Sequence, residues 1–343
     1  MRDQLIVKTP LVFRRWPILL IVILALAAAA SALADLSVES VGMTVSDADR
    51  AVEFYSQLNF RKVSEVEVLG PEYEHLEGVF GARMRIVRMQ LGSEFIDLTQ
   101  YLAPRGRPIP PDSRSNDRWF QHIAIVVRDM DAAFARVRAM KVQFVSTGPQ
   151  TLPATIPAAA GIKAFYFRDP DGHNLELIYF PVGKGDPRWQ QPNDNLFLGI
   201  DHTAIGIANT VASLQFYRDL LGMRRAGESE NFGTEQEHLN QVFGAHLQIT
   251  GMRAKRGPGI EFLEYLTPRD GRPIPEGTKA NDLIHWQTTI ATDDLETIVK
   301  ELRRHHFAFV SSDVTVVAKE KLGFSRGVLV SDPDGHDVLL VEL

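Results

Sequence analysis

A short alternating apolar run, a polar cap and a helical stripe follow one another four times along the chain. The runs are VESVGMTV from Val38, FQHIAIVV from Phe120, IDHTAIGI from Ile200 and HWQTTIA from His285. Alternation of this kind predicts a strand with one buried face. Asp47, Asp129, Asn209 and Asp294 come next, each with a side chain suited to cap a helix. The following residues change period, as in the first unit, where Ala51, Phe54, Tyr55 and Leu58 fall on one helical face. Further strand-like runs close each unit, such as RMRIVRMQL and EFIDLTQYL in the first and KAFYFRDPDGHNLELIYF in the second. The D-P-D-G inside the last of these is a tight turn, with Pro fixing one φ and Gly supplying the unusual one. Each unit therefore reads as βαβββ, a small curved sheet whose concave face cannot be buried by the unit alone. The pattern predicts an α+β protein of four modules that pair into two curved-sheet cups.

Internal repetition groups the modules into halves. EHLEGVFGAR from Glu74 returns as EHLNQVFGAH from Glu237, and RDPDGHNLELIYF from Arg168 returns as SDPDGHDVLLVEL from Ser331, each 163 residues later. The expected domains are 35–184, holding modules 35–103 and 118–181, and 185–343, holding modules 198–267 and 283–343. Within them, PRGRPIPPDSRSND and PRDGRPIPEGTKAND read as rigid connectors. A second reading of these connectors has Arg105, Arg107, Arg269 or Arg272 guiding an anionic substrate.

Composition narrows the partners. The chain has 343 residues, of which 45% are hydrophobic, and this is enough for a sizeable core. A net charge of −6 offers no field for a phosphate backbone, so a small molecule rather than nucleic acid is the expected partner. The absence of cysteine excludes disulfides, thiolate nucleophiles and Cys-held zinc, leaving His, carboxylate and amide as metal ligands. Residues 1–34 combine early arginines, the apolar run PILLIVILALAAAA and a small-residue end at Ala32-Leu33-Ala34. They read as a signal peptide, which predicts an exported, periplasmic or secreted protein. Left uncleaved, the same run makes a membrane anchor, the one membrane contact expected.

The module starts VSDADRAVEFYSQLNF and ANTVASLQFYRDLLGM, with the ending DPDGHNLEL, resemble the vicinal oxygen chelate superfamily. That superfamily includes glyoxalase I, extradiol dioxygenases and bleomycin-resistance proteins, and the resemblance covers residues 35–343. It implies a glyoxalase-like fold in which a His or Gln on the first strand and a Glu on the last strand of each module face a cup and bind a divalent metal. The first-strand positions are then Ser40, His122, His202 and Gln287, and the last-strand positions Asp97, Glu176, Glu261 and Leu339. Modules two and three keep a full pair, while Asp97 and Gln287 remain as a second-site remnant. Alternation supports the choice of Glu176, because His173 falls on the opposite face of that strand and a carboxylate between Leu175 and Leu177 is costly to bury unpaired. His173 and His336 read as turn-flanking side chains with local hydrogen bonds.

Pairing of modules two and three would gather His122, Glu176, His202 and Glu261 as metal ligands, with Glu176 or Glu261 also serving as general base. Two imidazoles and two carboxylates neutralise a divalent Ni, Co, Zn, Mn or Fe and leave positions for substrate oxygens. The other pairing, one with two and three with four, resembles the dioxygenases. By resemblance the expected chemistry is that of a glyoxalase I-type lyase or isomerase. An Fe(II) extradiol dioxygenase is the alternative enzyme, and a metal-free antibiotic-binding protein the non-catalytic one. In the last reading Trp119, Phe120, Phe165, Phe167, Tyr179 and Trp286 would form aromatic walls.

Overall fold

A computed structural model describes residues 35–343 of the chain; the segment read as an export signal, 1–34, lies outside them. Module one runs β1 (Ser37–Thr44), α1 (Ala48–Gln57), β2 (Arg61–Leu69), α2 (Pro71–Glu77), β3 (Arg83–Leu91) and β4 (Glu94–Ala103). Module two runs β5 (Phe120–Val127), α3 (Met130–Ala139), β6 (Gln143–Phe144), β7 (Gln150–Thr151), β8 (Lys163–Arg168) and β9 (Asn174–Tyr179). Module three has β10 (Phe197–Ile207), α4 (Thr210–Leu214), β11 (Arg224–Phe232), α5 (Thr234–Asn240), β12 (His246–Arg253) and β13 (Gly259–Thr267). Module four has β14 (Trp286–Ala291), α6 (Leu295–Arg304), β15 (Ala308–Phe309), β16 (Thr315–Val316), α7 (Lys319–Leu322), β17 (Arg326–Ser331) and β18 (Asp337–Glu342).

All four anticipated caps form. The side chains of Asp47, Asp129 and Asn209 each accept a backbone N–H three residues on at 3.0 Å, and Asp294 does so at 3.3 Å. Each cap satisfies an otherwise orphaned donor at the helix start, worth about 1 kcal/mol. The second strand departs from expectation in modules two and four. There it breaks into the two-residue pieces β6 and β7, and β15 and β16. In module two the break falls at Gly148-Pro149, where Pro cannot donate to a ladder.

Two mixed sheets of nine strands result, and each joins two modules. One sheet carries the order β11-β12-β13-β10-β5-β9-β8-β6, so modules two and three share it through the antiparallel β5–β10 seam. In the other, β15-β17-β18-β14-β1-β4-β3-β2, modules four and one meet at the antiparallel β1–β14 seam. The helical sides pair differently. Tyr55 of α1 donates to Asp169 of module two at 3.3 Å, and Tyr217 of module three donates to Asp332 of module four at 3.2 Å. The apolar core follows suit, one cluster drawing on modules one and two and another on three and four. Each module is thus clamped to one neighbour by its sheet and to another by its helix, and the described residues form one compact unit.

The D-P-D-G turns anchor these clamps. Gly172 and Gly335 sit at φ +97° and +94°, a conformation that disfavours a side chain. His173 Nδ1 lies 2.9 Å from Asp169 Oδ2 and Nε2 lies 2.8 Å from the Leu283 carbonyl, while His336 Nδ1 lies 3.0 Å from Asp332. Both rings are buried on the helical side, away from either cup. The Pro-rich connectors brace across the molecule: Arg107 pairs with Asp282 and Arg272 with Asp117, each at 2.6 Å. Those two guanidinium groups are therefore engaged in holding the connectors.

Candidate metal centre

The register of the shared sheet places the site. β5 runs parallel to β9 with Ala124 opposite Glu176, and β10 runs parallel to β13 with Ala204 opposite Glu261. His122 and His202 each stand two residues before those alanines, on the same face as the carboxylates. Across the seam His122 faces Ala204 and His202 faces Ala124, so each imidazole lies opposite a methyl group that leaves it room. His122, Glu176 and His202 consequently converge, with one ligand atom of each within 4.8 Å of the others. His122 Nε2 is 3.0 Å and His202 Nε2 3.6 Å from Glu176 Oε2, and Glu261 Oε2 is 3.3 Å from His202 Nε2. The carboxylates differ in access, for the Glu261 side chain is 31% exposed and that of Glu176 5%. All four line a cavity of about 310 Å³.

A bulge beside each histidine orients it. The β5–β10 ladder skips Gln121 and Asp201, the residues just before His122 and His202. A bulge interrupts the alternation of a strand and re-aims its side chains. Here it lets each residue reach the ring that follows: Gln121 Oε1 accepts from His122 Nδ1, and Asp201 Oδ2 accepts from His202 Nδ1 at 3.0 Å. Asp201 is held in turn by Arg253 Nη2 at 2.8 Å and Trp189 Nε1 at 2.9 Å. With both Nδ1 atoms committed, both Nε2 atoms point into the cup.

The residues fit a divalent ion. His122 Nε2 is buried and, although 3.0 Å from Glu176 Oε2, makes no hydrogen bond. Burial opposes a charge on His202, yet the carboxylates of Glu261, Asp201 and Glu176 outweigh it and lift its pKa to about 9. Asp201 is also buried, but His202 and Arg253 hold its carboxyl well below the usual range. Such a site favours positive charge, and its nitrogen and oxygen donors suit Zn, Ni, Co, Mn or Fe.

The other cup has lost the arrangement. Gln287 stands opposite Gly42 and is hydrogen-bonded to His285 at 3.1 Å, and Leu339 packs in an apolar cluster. Asp97 is claimed by Arg88, whose Nε and Nη2 donate to its two oxygens at 2.8 and 2.9 Å, and Ser40 donates to it as well. A fixed guanidinium thus stands beside the carboxylate that was expected as a vestigial ligand.

Several side chains of the site escaped the sequence reading. Gln121 and Asp201 alternate out of the cup on an ideal strand, and only the bulges bring them to the rings. Arg88 had a visible signal, because the repeat places Gly251 at its counterpart. None of Trp119, Phe120, Phe165, Phe167, Tyr179 and Trp286 lines the metal-site cavity; Phe165 and Phe167 lie in the helical-side core, and Phe120 stacks on Trp286 at 4.2 Å between centroids.

Known proteins show the same architecture. Glyoxalase I from Zea mays overlays 90% of the chain and 93% of itself with a TM-score of 0.57 at 14% identity. A putative dioxygenase from Bacillus subtilis overlays 89% of the chain and 84% of itself with a TM-score of 0.54, also at 14% identity. By sequence, a 2-epi-5-epi-valiolone epimerase of Actinomyces sp is 34% identical over 162 residues, 43% of this chain and 81% of that protein. Glyoxalase I of Saccharomyces cerevisiae is 24% identical over 251 residues, 67% of this chain and 68% of that protein. The family model matches residues 37–177 and again 199–340, one match per tandem half. The chain belongs to the Glyoxalase/Bleomycin resistance protein/Dioxygenase superfamily.

Proposed function

We propose that the chain is a metal-dependent enzyme that moves a proton next to a substrate carbonyl, as an isomerase, epimerase or lyase. The observation that carries this reading is the buried His122, Glu176 and His202 group with the more accessible Glu261 beside it. Held there, a divalent ion supplies Lewis acidity that polarises a chelated carbonyl. His122, His202 and Glu176 form its cradle, and their strand positions keep substrate oxygens on the cavity side. Glu261 removes the proton from the adjacent carbon, the C–H electron pair passes into the carbonyl, and the carboxylic acid returns the proton to that carbon or its neighbour. Likeness to a protein named as an epimerase supports this class of reaction.

The tight group of two histidines and one carboxylate also favours a second reading, an Fe(II) dioxygenase of the extradiol type. Metal analysis of purified protein before and after chelator treatment, with oxygen consumption on catechols and deuterium wash-in on hydroxyketones, separates the readings. About one ion per chain with metal-dependent wash-in is expected; less than roughly a tenth of an ion per chain sinks both enzymes, and oxygen uptake with Fe(II) alone selects the second. Export belongs to the same proposal, resting on the composition of residues 1–34. Protein recovered from outside the cytoplasm is expected to begin at Asp35, and a mature chain beginning at Met1 refutes cleavage.

A further inference from the structure

One wall of the metal-site cavity carries a line of buried amides that the proton-transfer chemistry does not use. Asn231 of β11 donates through Nδ2 to Gln236 Oε1 at 3.0 Å. Gln236 donates through Nε2 to Asn240 Oδ1 at 2.6 Å, and Asn240 donates to the Tyr265 hydroxyl oxygen. All four side chains are buried, and Asn231 and Gln236 line the same cavity as His122, Glu176, His202 and Glu261. At the cavity end the relay stops short, for Asn231 Oδ1 is buried and accepts no hydrogen bond.

The chain contains its own control for whether the fold needs this relay. Module one repeats module three 163 residues earlier, or 164 by its last strand, and there the matching positions are Val68, Tyr73, Glu77 and Tyr101. Val68 and Tyr73 sit in an apolar cluster beside the other cup. The same strand and helix therefore form with a valine where module three has Asn231. An amide oxygen buried without a donor is costly, and a structural role does not require it.

We propose that the relay is a substrate subsite that reads a hydroxyl group, and that the substrate is a neutral, polyhydroxylated carbonyl compound. Each link fixes the next, so the Asn231 amide is presented in one orientation. Reversing every amide plane runs the same relay the other way and leaves an Nδ2 donor at the open end. A hydroxyl satisfies either direction, whereas a carboxylate or an ammonium group satisfies one. Charge points the same way. Of the cationic side chains lining the cavity, Arg253 is engaged by Asp201 and the two histidines belong to the candidate metal site, while Glu228 is paired with Arg225 and Glu261 adds negative charge. An anionic substrate finds no free counter-charge there.

The proposal rests on the reading of the cup as an active site, and the test keeps the two apart. Binding of 2-keto-myo-inositol, 2-hydroxycyclohexanone and S-lactoylglutathione is measured by calorimetry on the full chain, both metal-loaded and chelator-treated, with metal content recorded for each sample. Wild type is expected to bind the ketoinositol about tenfold or more tighter than the hydroxycyclohexanone, which lacks the distal hydroxyls. Asn231→Val, which installs the residue of module one, is expected to erase that preference while keeping the metal, and Gln236→Met breaks the relay independently. Absence of ketoinositol binding, a preference unchanged in both variants, or tighter binding of S-lactoylglutathione overturns the subsite. Wild type that takes up no metal on loading yet keeps the hydroxyl preference overturns the metal-dependent reaction and leaves the subsite standing.

Discussion

Glu176→Gln is expected to lose its metal and, with it, turnover by about a thousandfold or more. Glu176 Oε2 lies within 3.6 Å of both His122 Nε2 and His202 Nε2, so its carboxylate meets both rings. The amide keeps the shape but carries no charge, and it leaves two imidazoles alone to hold a divalent ion. The fold should tolerate the change, since an amide is cheaper than a carboxylate to bury between Leu175 and Leu177. Metal content, activity and Tm measured together decide the matter. Retained metal with normal activity would remove Glu176 from the site. Leu339→Glu, the corresponding position in the other cup, should change activity less than about twofold, because Arg88 already occupies the neighbouring carboxylate there.

Glu261→Gln is expected to behave differently, keeping its metal while turnover falls by about a hundred- to ten-thousandfold, the usual loss for a general base. Glu261 lies beside His202 but outside the tight ligand group, and its side chain reaches the cavity. A base must be near the ion yet free to receive and return a proton, and exposure separates the two carboxylates in that respect. The loss should fall on kcat, with substrate affinity little changed. A variant that instead arrives metal-free would place Glu261 among the ligands, as the four-ligand expectation has it, and the base would have to be sought elsewhere.

What the sequence made legible followed from periodicity that ideal elements obey. Periodicity located the strands, but His122, His202, Glu176 and Glu261 were singled out by the resemblance, with alternation separating Glu176 from His173; the structure adds the parallel register of first and last strands that places each pair on one face. Repetition multiplied that evidence, and the missing partners at Ser40 and Leu339 marked the other cup as altered. The charge on Asp97 was legible but its fate was not, since Arg88 meets it from a neighbouring strand. Gln121 and Asp201 were hidden because a bulge breaks the rule on which alternation depends. The amide relay was hidden for another reason: Asn231, Gln236 and Asn240 sit in a strand and a short helix where polar residues pass as surface.

The double clamping of the modules also bears on how the chain is made. The β5–β10 seam joins residues 120–127 to 197–207, whereas the β1–β14 seam joins 37–44 to 286–291. During synthesis the cup of modules two and three is complete in sequence once Thr267 has emerged, but β1 still presents an unpaired edge. That edge waits for the last quarter of the chain, and long-range pairing of this kind is slow and prone to stray association. The cup of modules one and four is thus the closing stitch of the molecule: a ribosome that stops early leaves His122, Glu176 and His202 assembled on a chain with an open flank.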